Sequence, residues 1–242
     1  MFEIIEREDF MQRRKKLQNS SEKNGFTLAE VLITLVIIGV IGALTVPALI
    51  QNTQKQEYVS ALKKAYSTLS QASQMIISEE GSPKGDDSWM TDVDALYNMY
   101  KKYLNNAKDC GADSGCAPEM HYKFLDGVTV DTEPQHSGGM YRKLVLSDGA
   151  LIMFSSFAVN KTCPYSSGHW SSGSNDWCAG IFADINGIKK PNIWGRDMFL
   201  FVLKENGLYP AGCDTSTICT PRKGAWTKNC ACRVLREGAM NY

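Results

Sequence analysis

At 242 residues, with 26 Lys+Arg against 26 Asp+Glu, the chain has no formal net charge, which excludes a broadly basic nucleic-acid binder. Hydrophobic residues at 43% and charged residues at 21% exclude a wholly disordered chain and fit one medium domain with an added element, or two small domains. That average conceals a local bias, because the apolar residues crowd into one early stretch.

The first ten residues are acidic (Glu3, Glu6, Glu8, Asp9), and a basic run of Arg13, Arg14, Lys15, Lys16 and Lys23 follows. A start at Met11 would give a short basic leader. Residues 26–50, FTLAEVLITLVIIGVIGALTVPALI, contain one charge, Glu30. As a helix this segment is about 37 Å long, enough to cross a hydrocarbon core of about 30 Å. Positive charge before it predicts a cytoplasmic N terminus and a head outside. An ordinary secretory signal has an apolar core of about 7–15 residues; Val46-Pro47-Ala48 offers a small-residue cut site, but the run is too long and contains Glu30. A plain anchor accounts for the length and gives no reason for Gly25 or Glu30. A carboxylate at the centre of a span costs roughly 2.5–3.5 kcal/mol.

Lys23-Asn24-Gly25-Phe26-Thr27-Leu28-Ala29-Glu30 and the apolar run after it resemble the prepilin cleavage and methylation signature of type IV pilins and type II secretion pseudopilins. The resemblance covers about residues 23–55. It implies that a membrane aspartyl prepilin peptidase cuts between Gly25 and Phe26 and methylates the new amine of Phe26. Gly25, with no side chain, lets the chain enter a peptidase extended. Glu30 becomes the fifth mature residue, about one turn from that amine and within reach of a neighbouring subunit's; in a low-dielectric bundle such pairing sets the axial stagger. The plainer alternative is a carboxylate snorkelling to the interface. Pro47 removes a backbone donor and predicts a kink or local melting near residues 43–47, a feature pilins often share.

Beyond Gln51 the pattern turns amphipathic. Tyr58, Leu62, Ala65, Tyr66, Leu69, Ala72 and Ile76 recur at three- and four-residue spacing, so residues 26–79 read as one helix, ended by Gly81, Pro83 and Gly85. A second helix is expected at about 91–107 from Thr91-Asp92-Val93-Asp94 and the apolar positions after it. From about 122 the signals are β-like. Residues 141–146 and 150–157 flank a Ser147-Asp148-Gly149 turn, 181–185 and 198–203 are further strands, and Asn206-Gly207 turns into 208–210. After Cys213 an irregular segment is expected.

The eight cysteines are Cys110, Cys116, Cys163, Cys178, Cys213, Cys219, Cys230 and Cys232. An even count behind a membrane-targeting start predicts disulfides, with short closures Cys110–Cys116 and Cys163–Cys178. Zinc is disfavoured, since no paired C-x-x-C knuckles occur. Asp184, Asn186, Asn192 and Asp197 offer hard oxygens in a glycine-containing loop, a pattern compatible with calcium; the alternative is a β-connection whose Asn-Gly and Pro-Asn supply turns. Tyr165, His169, Trp170 and Trp177 suit either a sugar- or surface-binding loop or cover for a core edge. Arg222, Lys223, Lys228, Arg233 and Arg236 are offset by nearby carboxylates, so nucleic acid is not an expected partner. No G-x-S-x-G, G-x-x-x-x-G-K-[ST] or H-E-x-x-H occurs, so no enzyme is expected.

The expected architecture is α+β and pilin-like: a leader at 1–25, a transmembrane and filament-core helix at 26–52, and a head at 53–242. In the head an antiparallel sheet is covered by the amphipathic half of the helix, with a disulfide-rich C-terminal region. The resemblance implies a structural subunit of a type IV pilus or type II secretion pseudopilus, on the cytoplasmic membrane and then in an external filament. Its partners would be the prepilin peptidase, other pilin subunits and an inner-membrane assembly platform. A minor tip pilin acting as an adhesin or as a DNA- or sugar-binding module is the alternative. An anchored enzyme is the third possibility, and a product beginning near Gln51 would mark it.

Overall fold

The computed structural model describes residues 25–104, 107–112, 120–130, 141–159, 163, 176–213, 219 and 230–242. The chain divides into two compact units after Ile50, and helix α1, Leu28–Glu80, contributes to both.

In the first unit α1 is apolar on all sides, and Leu32, Ile33, Val36, Ile37 and Val40 are all exposed. Helix persists through Pro47, so of the kink or local melting expected at 43–47 the melting does not occur. Proline there removes only the donor that the Ala43 carbonyl would have used, while Thr45 Oγ1 bonds the Ile41 carbonyl at 2.9 Å.

In the second unit α1 buries Val59, Leu62, Ala65, Leu69, Ala72 and Ile76. These positions recur every three or four residues and form one stripe. The chain then forms α2, Val93–Tyr103, and strand β1, Lys108–Gly111. A short hairpin follows, β2 (Tyr122–Lys123) with β3 (Thr129–Val130). The remaining strands are β4 (Tyr141–Val145), β5 (Leu151–Val159), β6 (Ala179–Asp184), β7 (Met198–Lys204) and β8 (Gly207–Pro210), and α3 (Cys230–Glu237) comes last.

The main sheet has the order β1-β4-β5-β6-β7-β8, and every neighbouring pair in it is antiparallel. A long helix on an antiparallel meander gives the α+β class. Alternation sends Ile181, Ala183, Phe199 and Phe201 into the cluster that holds the α1 stripe. It sends Phe182, Met198, Leu200 and Val202 into a second cluster with Tyr122, Trp177 and Trp194. Since successive strand residues face opposite sides, the sheet is covered on both faces, and β6 is buried throughout.

Three boundaries differ from the sequence expectation. The second helix stops at Tyr103, where Leu104 N closes on the Tyr100 carbonyl at 2.8 Å. Asp92 caps its start by accepting from Ala95 N at 2.8 Å. Strand β1 was not anticipated because Lys-Asp-Cys-Gly has no apolar alternation; it exists by pairing with β4. The segment after Cys213 was expected to be irregular, yet Cys230–Glu237 is helical and buries Ala231 and Val234. Disulfides Cys219–Cys230 and Cys213–Cys232 tie that helix down.

Candidate functional site

Two places carry chemistry. The first is the start of α1. Gly25 and Phe26 precede the helix and are exposed. Thr27 N and Thr27 Oγ1 donate to Glu30 Oε2 at 2.8 and 2.9 Å, and Glu30 N donates to Thr27 Oγ1 at 3.2 Å. This reciprocal arrangement is a capping box, which satisfies donors that a helix N terminus otherwise leaves open. Glu30 therefore has a partner within its own chain, a role the sequence analysis missed. The Thr-x-x-Glu spacing before an apolar run was the available signal.

The second is the loop after β6. Asp184, Asn186, Asn192 and Asp197 do converge there. Tyr122 Oη donates to Asp184 Oδ2 at 2.7 Å, and Asn186 N reaches Asp184 Oδ1 at 3.3 Å. Asp197 Oδ2 accepts from Asn192 N at 2.8 Å and from Asn186 Nδ2 at 3.2 Å, while Ile193 N donates to Oδ1. Both carboxylates are fully buried. Burial and then the charge of Asp197 push Asp184 well above the ordinary carboxylate range. Burial raises Asp197 to about 6, against the backbone hydrogen bonds that lower it.

Each of the four carboxylate oxygens thus already accepts from a protein donor. The amide oxygens Asn186 Oδ1 and Asn192 Oδ1 are buried and have no hydrogen-bond partner among the described residues. Among the described residues, no group of three or more His, Cys, Asp or Glu is placed to hold a metal. The pattern is that of a hydrogen-bonded loop hung from Asp197, with two spare oxygens.

Of the remaining candidates, Trp177 and Arg233 have structural contacts. Trp177 is buried in the second cluster, so it is not an exposed binding aromatic; Tyr165, His169 and Trp170 lie outside the described residues. Arg233 pairs with Glu237 at 2.9 Å, bonds the Cys219 carbonyl at 3.1 Å and lies over the Tyr242 ring. Arg222, Lys223 and Lys228 lie outside the described residues. Cys163–Cys178 is formed as expected. Cys110 is disulfide-bonded, and Cys116, its expected partner, lies outside the described residues.

Residues 48–224, most of the chain, match the model of a family of unknown function, DUF6613. The chain belongs to this family. In this DUF6613 member, residues 21–46 also match the prokaryotic N-terminal methylation motif. That motif is the type IV pilin and pseudopilin signature, and it covers Gly25, Phe26 and Glu30. No curated protein and no solved structure matches the chain. The DUF6613 match therefore covers most of the head and the motif covers the start of α1, with no overlap in sequence.

Proposed function

We propose that this DUF6613 chain is a structural subunit of a type IV pilus or type II secretion pseudopilus. In this reading prepilin peptidase cuts between Gly25 and Phe26, and the mature chain waits in the cytoplasmic membrane before joining other subunits. The observation that carries it is the methylation motif, whose helical part exposes Leu32, Ile33, Val36, Ile37 and Val40. A helix apolar all round needs lipid or other helices as its solvent. Lipid serves first, and neighbouring copies of the same segment serve in the filament.

The motif belongs to non-enzymatic structural subunits, and the head is read here as the tile of the filament's outer surface. N-terminal mass spectrometry of the mature protein tests the proposal. An N-methylated Phe26 is expected, and Gly25→Leu should leave the leader attached. Normal processing of that variant, or a mature product beginning near Gln51, would overturn it.

A further inference from the structure

A groove of about 480 Å³ opens between the first turns of α1 in the second unit and the loop after Lys190. Gln51, Gln54, Lys55 and Tyr58 line it from the helix, Lys190 and Arg196 from the loop. Among the described residues no carboxylate lines it; Asp184 and Asp197 are not part of its wall. Lys55 Nζ donates to the Met240 carbonyl at 3.2 Å, which uses one of its three donors. Arg196 is half-buried, and among the described residues no ion pair or side-chain hydrogen bond is seen at its guanidinium. Asp184 and Asp197 lie close enough for their charges to act on the Tyr58 hydroxyl, but no described carboxylate opens onto the groove.

We infer that this groove binds the phosphate of an anionic phospholipid headgroup. Arg196 presents a planar fork of donors that matches two phosphate oxygens, and the two ammonium groups add point charge. The Gln51 and Gln54 amides suit headgroup hydroxyls and ester carbonyls. The volume exceeds what a bare phosphate needs and suits a phosphoglycerol group.

Chain connectivity argues for lipid over other phosphates. Lys55 follows Ile50 by five residues, about 7.5 Å along a helix. The headgroup layer adds about 5–7 Å on each side of the hydrocarbon core. With residues 26–50 crossing the membrane, chain length alone keeps Lys55 within reach of the headgroup layer. The inference rests on the membrane-held subunit proposed above.

The test uses full-length mature protein in nanodiscs of phosphatidylcholine alone or with phosphatidylglycerol, followed by release into detergent and native mass spectrometry. Phosphatidylglycerol should be retained and phosphatidylcholine lost. Lys190→Ala and Arg196→Ala should each weaken retention about fivefold, added salt should weaken it further, and Lys189→Ala, outside the groove, should not. Arg196→Lys should restore only part of the retention, because it keeps the charge and loses the fork, and unchanged melting curves exclude misfolding as the cause. Equal retention by wild type and the alanine variants would overturn the inference. So would displacement of the lipid by an equal concentration of inorganic phosphate, which would mark a free-anion site. Absent retention, with subunit cross-linking lost in the alanine variants, would assign the groove to an acidic neighbouring chain instead. Carbonate extraction of cell membranes separates the two levels: release of the protein would sink the membrane-held reading itself, while resistance without lipid retention sinks only this inference.

Discussion

Tyr122, on the two-stranded hairpin, donates its hydroxyl to Asp184 at the end of β6 across 2.7 Å, with both residues fully buried. Asp184 and Asp197 are carboxylates enclosed in one loop without a described cationic partner, and burial raises both above their ordinary range. A carboxyl whose folded pKa exceeds its unfolded value binds protons more tightly in the folded chain. Its ionisation cost is present above the folded pKa and is relieved as pH falls toward the unfolded one. For Asp197 that window runs from about 6 down to about 3.9. Thermal melts of the wild type should therefore show a stabilising contribution on acidification across it. Asp197→Asn should flatten this pH dependence whatever its absolute stability. Tyr122→Phe should cost about 1–3 kcal/mol, because it leaves a buried oxygen of Asp184 without its donor. Parallel pH profiles for the wild type and Asp197→Asn would contradict this account.

The same loop bears on calcium. A calcium site needs six or more oxygens at about 2.3–2.6 Å, and here backbone amides and the Asn186 amide nitrogen already occupy the carboxylates. The melting temperature of the mature protein should stay flat across millimolar calcium and chelator. A rise with calcium that vanishes in Asp184→Ala with Asp197→Ala would instead assign the spare Asn186 and Asn192 oxygens to a cation. Mass action would make that rise worth about 2.7 kcal/mol at a hundredfold excess over the dissociation constant.

Gly187, in this loop, has φ +67, and a Cβ added to it would collide with the backbone carbonyl oxygen of Gly149 in the β4–β5 turn. Gly127 has φ +85 with open space around it, so Gly127→Ala should report the left-handed backbone cost alone, about 1–2 kcal/mol. Gly187→Ala should exceed it, since a backbone oxygen cannot swing aside as a flexible side chain does. Equal denaturant midpoints for the two variants would show that the turns part without cost.

Glu30 has two separable roles. Glutamine also serves in a capping box, but it has no charge with which to pair a terminal amine. Glu30→Gln should therefore be processed and inserted normally yet give few filaments, while Glu30→Ala also weakens the helix start. The yield of sheared filaments, beside the amount of processed membrane protein, reads both effects. Wild-type filament yield from Glu30→Gln would leave capping as the whole function of the residue.

Helix α3 is only eight residues long, too short to persist alone in water. Cys213–Cys232 spans 19 residues and Cys219–Cys230 spans 11, and closing loops of that size is worth about 3 kcal/mol each in the chain-entropy model. Non-reducing peptide mapping should recover these pairs together with Cys163–Cys178. Cys219→Ser with Cys230→Ser should raise hydrogen exchange in α3 and lower the melting temperature by several degrees. Unaltered exchange there would mean that Ala231 and Val234 hold the helix by packing alone.

The N-terminal segment was legible in the sequence because its chemistry is local. The methylation motif over residues 21–46 and its unbroken apolar run are read from adjacent residues, without help from any distant one. The α1 stripe and the β4–β5 and β6–β7 strands were legible for a related reason, since periodicity and turn residues record which side is buried. Strand β1 and helix α3 were not, because a polar four-residue strand exists only through its pairing with β4, and a short helix only through its disulfides and packing. Tertiary structure likewise decided the Asp184–Asp197 loop. Its spacing allowed either a cation or a turn network, and only the fold brings the Tyr122 hydroxyl and the Asn192 and Ile193 amides onto the carboxylates. The groove of Lys55, Lys190 and Arg196 was invisible for the same physical reason. Residues 55 and 190 are far apart in the chain, and a zero net charge says nothing about where unpaired cations meet.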